Sequence, residues 1–172
     1  MTMADEIAVM NEGHVEQRGS ASELYERPAT EFVANFLGVS NLIDGSMRDR
    51  SGRLADFETH DGVHLRVPTE AAEGQPNGAL KVGVRPEKIT LSGAGNGSVP
   101  ADANVLRGRV SVASYLGVAI QYVIETPGGE ELTVIAQNQG AAGPESIGPG
   151  RDVVLSWDPR HTFIVAKEES NV

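Results

Sequence analysis

The chain has 172 residues, with 24 acidic residues against 14 basic ones and a formal net charge of -10. A groove that follows nucleic-acid phosphates depends on clustered Lys and Arg, and the basic residues here are scattered, so the sequence disfavours nucleic acid as a partner and we predict none. The absence of cysteine excludes disulfides, thiol chemistry and zinc–thiolate sites. The longest uncharged stretch, residues 110–124, alternates like a strand and is too short to span a bilayer, so we expect no direct membrane insertion.

The first 38 residues predict a small α+β segment. Residues 7–10 and 15–17 form two short strands joined by a turn. In SASELYERPATEFVANFLG, residues 20–38, Ser20 and Glu23 have the spacing of a capping box, and Pro28 ends the short helix that follows. A second helix is predicted to begin at residue 29 or 30, with Gly38 as its C-cap.

From residue 41 onward, short apolar runs alternate with turn signals, and we place a domain boundary near residues 39–41. The period-2 alternation predicts half-buried strands without a convincing helix. These strands would build one or two small closed barrels or sandwiches, so the fold class is mainly β. The predicted strands cover residues 42–47, 54–59, 63–67, 80–84, 88–91, 105–116, 119–125, 132–137, 152–157 and 162–166.

The sequence lacks the motif that holds nucleotide phosphates. A P-loop needs Gly-Lys followed by Ser or Thr, and none of the three lysines follows a glycine. LSGAG at residues 91–95 resembles an ATPase signature, but loop-forming residues follow it, so we predict a plain loop. IAVMNE at residues 7–12 resembles a Walker B strand but has Asn11 in place of the Mg²⁺-organising aspartate, which favours a hairpin.

No other catalytic or metal-binding set emerges. His60 and His64 flank Asp61-Gly62, a hairpin-turn dipeptide, which places the two rings on opposite arms. No nucleophile elbow positions a serine for attack. We therefore predict neither a metal site nor catalytic residues.

Two stretches carry the remaining candidates. In VGVRPEKITL, Arg85 and Glu87 flank Pro86, share one face and can form an ion pair, and we favour a structural salt bridge at a strand corner over a ligand site. In SWDPRHTFIV, Trp157 precedes a turn at Asp158-Pro159, and we predict that it plugs the core of a barrel.

In order, these stretches resemble one known family. MADEIAVMNEGHVEQRGSASELYERPATEFVANFLGVSN, residues 3–41, resembles the end of the nucleotide-binding domain of ABC importer ATPases. The segments that follow resemble the appended regulatory region with the TOBE fold. They are GVRPEKI at residues 83–89, SYLG at 114–117, the L-x-V of 132–134 and VVLSWDP at 153–159. The spermidine/putrescine importers are the most similar group, and iron(III), sulfate and sugar importers share much of the pattern.

The resemblance implies a division of the chain and of its chemistry. Residues 1–39 would be a remnant of the ATPase domain, a β-hairpin with two short helices, and residues 40–172 an OB-like TOBE-type regulatory domain. In the family the P-loop, signature, Walker B strand and switch histidine all precede this region. The chain would then be non-catalytic and free of cofactors, while its full-length parent would bind ATP and Mg²⁺.

The resemblance also implies partners. The parent would join ABC permease subunits as a homodimer, in the cytoplasm and peripheral to the inner membrane through the permease. We name five candidate regulatory or interface residues, which lie on the matching motifs or directly beside them: Arg85, Glu87, Tyr115, Trp157 and Arg160. Alone, the first segment would expose a strand edge and a Phe32/Phe36 stripe, which predicts either a homodimer or a disordered first segment.

Two other functions remain open on the sequence. A free-standing β-barrel sensor of a small ligand, a polyamine or an oxyanion, would have a similar fold. An OB module for oligonucleotides fits the barrel but not the acidic charge, and it ranks last.

Overall fold

The computed structural model describes residues 5–73, 75, 79–95, 99–138 and 147–166. Its first segment is an antiparallel hairpin, β1 (Ile7–Asn11) and β2 (His14–Gly19), followed by helices α1 (Ala21–Glu26) and α2 (Glu31–Phe36). The hydroxyl of Ser20 accepts the Glu23 N–H at 3.2 Å, and that of Thr30 accepts the Val33 N–H at 3.3 Å. The two helices therefore begin where the capping residues predict.

Two five-stranded antiparallel sheets follow. The first has the order β12-β6-β3-β4-β5 and the second the order β10-β9-β8-β11-β7. In chain order the elements are β3 (Asn41–Asp49), β4 (Leu54–Thr59), β5 (His64–Pro68), helix α3 (Thr69–Ala72), β6 (Ala79–Val84), β7 (Thr90–Gly93), β8 (Asn104–Tyr115), β9 (Ala119–Glu125), β10 (Glu131–Gln137), β11 (Asp152–Trp157) and β12 (Thr162–Ala166).

Each sheet curls into a barrel. β5 lies against β12 in the first sheet, and β10 lies against β7 in the second. One hydrophobic core contains buried residues of both sheets, among them Phe57, Val84, Ile124 and Trp157. The predicted mainly β, OB-like fold is confirmed, as two barrels that share a core.

Three local predictions are wrong. Helix α3 was missed because four residues are too short to show a helical period. The strand predicted at 88–91 begins only at Thr90, since Pro86–Lys88 forms a 3-10 turn. The loop predicted at LSGAG is strand up to Gly93, paired with β11, while the next residues turn and 96–98 lie outside the described residues.

The two barrels exchange a strand. β7 follows β6 through the turn Pro86–Lys88 yet belongs to the second sheet, and β12 follows β11 through the turn Pro159–His161 yet belongs to the first. Each crossing has proline at the start of its turn, where the missing N–H costs no ladder hydrogen bond. Because each barrel is completed by the other half of the chain, neither can close alone.

A matching pair of asparagines joins the barrels. Asn41, the first residue of β3, bonds both the N–H and the C=O of Thr133 in β10, each at 2.7 Å. Asn104, the first residue of β8, bonds the N–H and the C=O of Arg66 in β5 at 2.7 and 2.8 Å. Both side chains are buried. Each amide thus satisfies one donor and one acceptor of the opposite barrel.

The asparagines mark an internal repeat. NLIDG begins β3 and NVLRG begins β8. A Cβ on Gly45 would collide with Phe57 and the Glu58 carbonyl, and one on Gly108 would collide with Ile124 and the Glu125 carbonyl. The Asn-x-x-x-Gly pattern therefore serves the same purpose in each half, to bond the other barrel and to let the next strand approach closely.

We predict that Asn41→Ala and Asn104→Ala each lower the free energy of unfolding by about 1–3 kcal/mol, because each leaves a part-buried backbone N–H and C=O without its partner. Urea unfolding with Asn11→Ala as the control checks this, since Asn11 bonds Glu16 on the hairpin outside the barrels. Equal stability of all three variants would contradict the account.

Candidate functional site

The guanidinium of Arg85 is buried between the first segment and the first barrel, with 1% of the residue exposed. Its Nε and Nη2 donate to the Tyr25 carbonyl at 3.2 and 2.9 Å. Its Nη1 donates to the carbonyls of Ala34 and Gly38 at 2.8 and 3.2 Å and to the Ser40 hydroxyl. Arg85 therefore gathers the carboxyl-terminal ends of α1 and α2, whose last carbonyls have no partner within the helix.

This arrangement suits a positive charge without an ion pair. The carbonyl ends of helices carry partial negative charge, and the guanidinium supplies several donors in a fixed plane. Burial lowers the pKa of Arg85 from its usual value, but arginine keeps its charge at neutral pH. The five hydrogen bonds stand in for the water that this group has lost.

Tyr25 completes the junction. The guanidinium carbon of Arg85 lies 4.1 Å from the centre of the Tyr25 ring and 5.5 Å from that of Phe163, so the cation stands near two aromatic rings. The Tyr25 hydroxyl donates to Glu87 Oε1 at 2.7 Å. Burial, followed by the bond to Glu87, raises the pKa of Tyr25 to about 12.

The ion pair predicted between Arg85 and Glu87 is wrong. Both residues lie in the described part of the chain and do not pair directly, because each contacts a different part of Tyr25. The sequence analysis did not identify Tyr25, because this residue precedes Arg85 by 60 positions and belongs to no motif. Tyr25 lies near the end of α1 and Arg85 lies between β6 and the crossing turn, so only the fold brings the two residues together.

Ion pairs and apolar contacts surround the junction. Lys81 in β6 pairs with Glu31 in α2 at 2.7 Å, and Lys88 in the crossing turn pairs with Glu26 in α1 at 3.4 Å. Ala34 packs with Phe163 and Val165 of β12. The described residues of the first segment are therefore fastened to the first barrel.

The other three candidates lie apart from one another. Trp157 is buried in the shared core as predicted, and its Nε1 donates to the Thr162 hydroxyl at 2.9 Å. Tyr115 is 70% exposed at the far end of β8. Arg160 is exposed at the second crossing, where its bonds to Asp158 hold the pKa of that carboxyl at about 2.

A cleft of about 450 Å³ adjoins the junction, between the first segment and the first barrel. Arg27 and Pro28 line one side, and Arg160 and Phe163 the other. Among the described residues, no group of three or more His, Asp or Glu side chains is arranged to hold a metal ion. In the same residues no helix has the length and apolar character to cross a membrane.

The Arg85 junction lies at the point where the chain passes from the first barrel to the second. Arg85 directly follows β6 and precedes the crossing turn, which leads into strand β7 of the second barrel. Arg85, Tyr25 and Glu87 thus connect the first segment to both barrels through one buried group.

We predict that Arg85→Lys lowers the free energy of unfolding by about 2–4 kcal/mol, because an ammonium cannot serve the carbonyls of both helices. The control, Arg160→Lys, changes an exposed arginine and should stay within about 0.5 kcal/mol of the parent protein. Urea unfolding measures both. Equal stabilities would show that the buried bonds of Arg85 contribute nothing.

The raised pKa of Tyr25 predicts an alkaline transition. A folded-state pKa of about 12, above the usual value of about 10, gives stability that is present below pH 10 and is lost as the pH rises towards 12. The free energy of unfolding should therefore fall more steeply between pH 10 and 12 in the parent protein than in Tyr25→Phe. Parallel curves would contradict the raised pKa of Tyr25.

Comparison with known proteins agrees with this architecture. Residues 82–165 match the model of the TOBE domain. The spermidine/putrescine import ATP-binding protein PotA of Acidothermus cellulolyticus is 41% identical over 95% of this chain and 41% of its own length. PotA of Rubrobacter xylanophilus is 36% identical over 96% of this chain and 42% of its own length. The chain thus spans about two-fifths of the relatives that it matches.

A solved structure supports the fold. A molybdate-bound crystal structure of the cytoplasmic molybdate-binding protein ModG superposes with a TM-score of 0.62, at 17% identity, over 74% of this chain and 96% of its own. Identity this low speaks for the fold alone. Residues 82–165 therefore match the TOBE domain, and nearly the whole chain is similar to part of the spermidine/putrescine import ATP-binding proteins PotA.

Proposed function

We propose that this chain is the regulatory region, with the adjoining end of the ATPase domain, of the ATP-binding subunit of an importer that takes up polyamines. The observation that carries the proposal is the Arg85 junction, which fastens the first segment to the matched TOBE domain. The relatives' names, spermidine/putrescine import ATP-binding protein, supply the transported substrate.

The proposed division places the end of the ATPase domain at residues 1–39 and the regulatory domain at residues 40–172. The TOBE match covers only 82–165, but β3, β4 and β5 lie in the same pair of barrels. The first segment has a small cluster of its own, made by Val9, Leu24 and Val33. Both observations support a boundary near residue 40.

In this proposal the chain itself is non-catalytic and binds no cofactor. Its sequence offers no Gly-Lys for phosphate, and ATP and Mg²⁺ would bind the full-length subunit outside this region. The subunit would work as a homodimer beneath permease subunits, on the cytoplasmic side of the inner membrane. The role of this region would be to hold the pair of ATPase domains together while their sites open and close.

A chimera tests the proposal. Residues 40–172 replace the matching region of the Acidothermus cellulolyticus protein, and the subunit is reconstituted with its permease and binding protein in liposomes. ATP-dependent spermidine uptake should persist, and Arg85→Lys in the chimera should reduce it more than Arg160→Lys. A folded chimera that assembles but does not transport would overturn the proposal, as would micromolar ATP affinity or hydrolysis by the isolated chain.

The alternative is a free-standing sensor of a small ligand, which the likeness to a molybdate-binding protein brings to mind. Thermal-shift measurements with spermidine, putrescine, molybdate, sulfate and phosphate separate the two functions. A large shift with one of these ligands, together with a chimera that fails in transport, would favour the sensor.

A further inference from the structure

The hairpin of β8 and β9 extends beyond the second barrel as an arm, which we define as residues 111–120. β11 pairs with β8 only from Asn104 to Arg109, and the last bond on that side runs from the Gly150 N–H to the Val110 carbonyl at 2.7 Å. Within the described residues, positions 111–115 pair with β9 alone. Their other backbone edge has no strand partner among the described residues, and we call it the open edge.

The arm is apolar as well as open. Four of its side chains are unusually exposed: Val112 (47%), Tyr115 (70%), Leu116 (57%) and Val118 (86%). The end of β10 holds the tip in place, because Asn138 donates to the carbonyls of Gly117 and Val118 at 3.0 and 2.9 Å. A two-stranded ribbon with exposed apolar side chains is marginal in water unless another surface covers it.

The internal repeat shows that the fold does not require this composition. The hairpin of β3 and β4 occupies the equivalent place in the first half. There Arg48 pairs with Glu58, and Arg50 bonds the carbonyls of Ala72 and Gln75. That hairpin carries charged side chains, whereas residues 110–124 of the second half carry none.

Charge favours a second copy of the chain as the occupant. Residues 110–124 contain no Asp, Glu, Lys, Arg or His, in a protein with a net charge of -10. Two such molecules repel each other over most of their surfaces, so a neutral apolar face is where they can meet. A basic partner would instead select an acidic face.

The open edge of the arm indicates how two copies would pair. Natural edge strands are protected against pairing with other chains by charged side chains, lysine above all, or by proline. The sequence SVASY at residues 111–115 contains neither. The β-bulge near Val110 lies at the base of the arm, where it does not interrupt pairing from Val112 to Tyr115. An edge that pairs antiparallel with its own copy forms an isologous contact, which closes a two-fold dimer.

We infer that the arm is the self-association surface of this chain, with the open edge of residues 111–115 pairing antiparallel with the same edge of a second copy. The inference rests on the homodimer proposed above and gives that dimer a location. The location differs from the one that the sequence alone predicts, namely the first-segment edge and the Phe32/Phe36 stripe.

A matched pair of variants tests the location. Val112 on the arm and Val15 on β2 are both exposed valines in strands, at 47% and 57%. Sedimentation velocity of the whole chain over a range of concentrations measures dimerisation. Val112→Lys should raise the dimer dissociation constant at least about tenfold, because two like charges would face each other near the axis, and Val15→Lys should leave it unchanged.

Single cysteines test the pairing. The parent chain has no cysteine, so each variant from Ser111→Cys to Tyr115→Cys carries one thiol. Under mild oxidation, disulfide-linked dimer should peak at the position on the two-fold axis and fall at its neighbours, because only facing residues bring their Cα atoms within about 7 Å. Val15→Cys is the control and should form little disulfide-linked dimer.

The outcomes separate the two proposals. A dimer that Val15→Lys disrupts and Val112→Lys spares would overturn the arm and leave the homodimer. A flat cysteine profile would overturn the antiparallel edge. A monomer at every concentration would overturn both the arm and the homodimer, while the chimera's transport would still test the regulatory function independently.

Discussion

The structure depends on a buried cation at a strand crossing. Arg85 stands where the chain leaves β6 of the first barrel for β7 of the second, and its guanidinium bonds the carbonyls of Tyr25, Ala34 and Gly38. A charge in this position is tolerated only because every direction it faces offers an acceptor or an aromatic ring. The first segment is consequently fixed to the point from which the chain enters both barrels.

The two halves of the internal repeat differ at their strand crossings and at their hairpins. Both halves share the Asn-x-x-x-Gly start, the amide bonds to the opposite barrel and the proline-led crossing. At the first crossing the arginine is buried under the first segment, whereas at the second Arg160 is exposed and bonded to Asp158. One half of the repeat is thus adapted to hold the first segment, and the other presents an uncharged arm.

Local structure was largely predictable from the sequence, and the site was not. Capping residues located α1 and α2, and the period-2 alternation located the strands to within a residue or two. The pairing of Tyr25 with Arg85 escaped because it joins residues far apart in the chain through backbone carbonyls, which no side-chain pattern encodes. The strand exchange escaped as well, although NLIDG and NVLRG carried a detectable signal of the repeat.

Hydrogen exchange of the whole chain tests the central claim most directly. Relative to the Arg160→Lys control, Arg85→Lys should reduce the protection of the amides of α1 and α2 more than that of the amides of β8, β9 and β10. A uniform loss across both barrels, or no change in the two helices, would contradict the role assigned to Arg85.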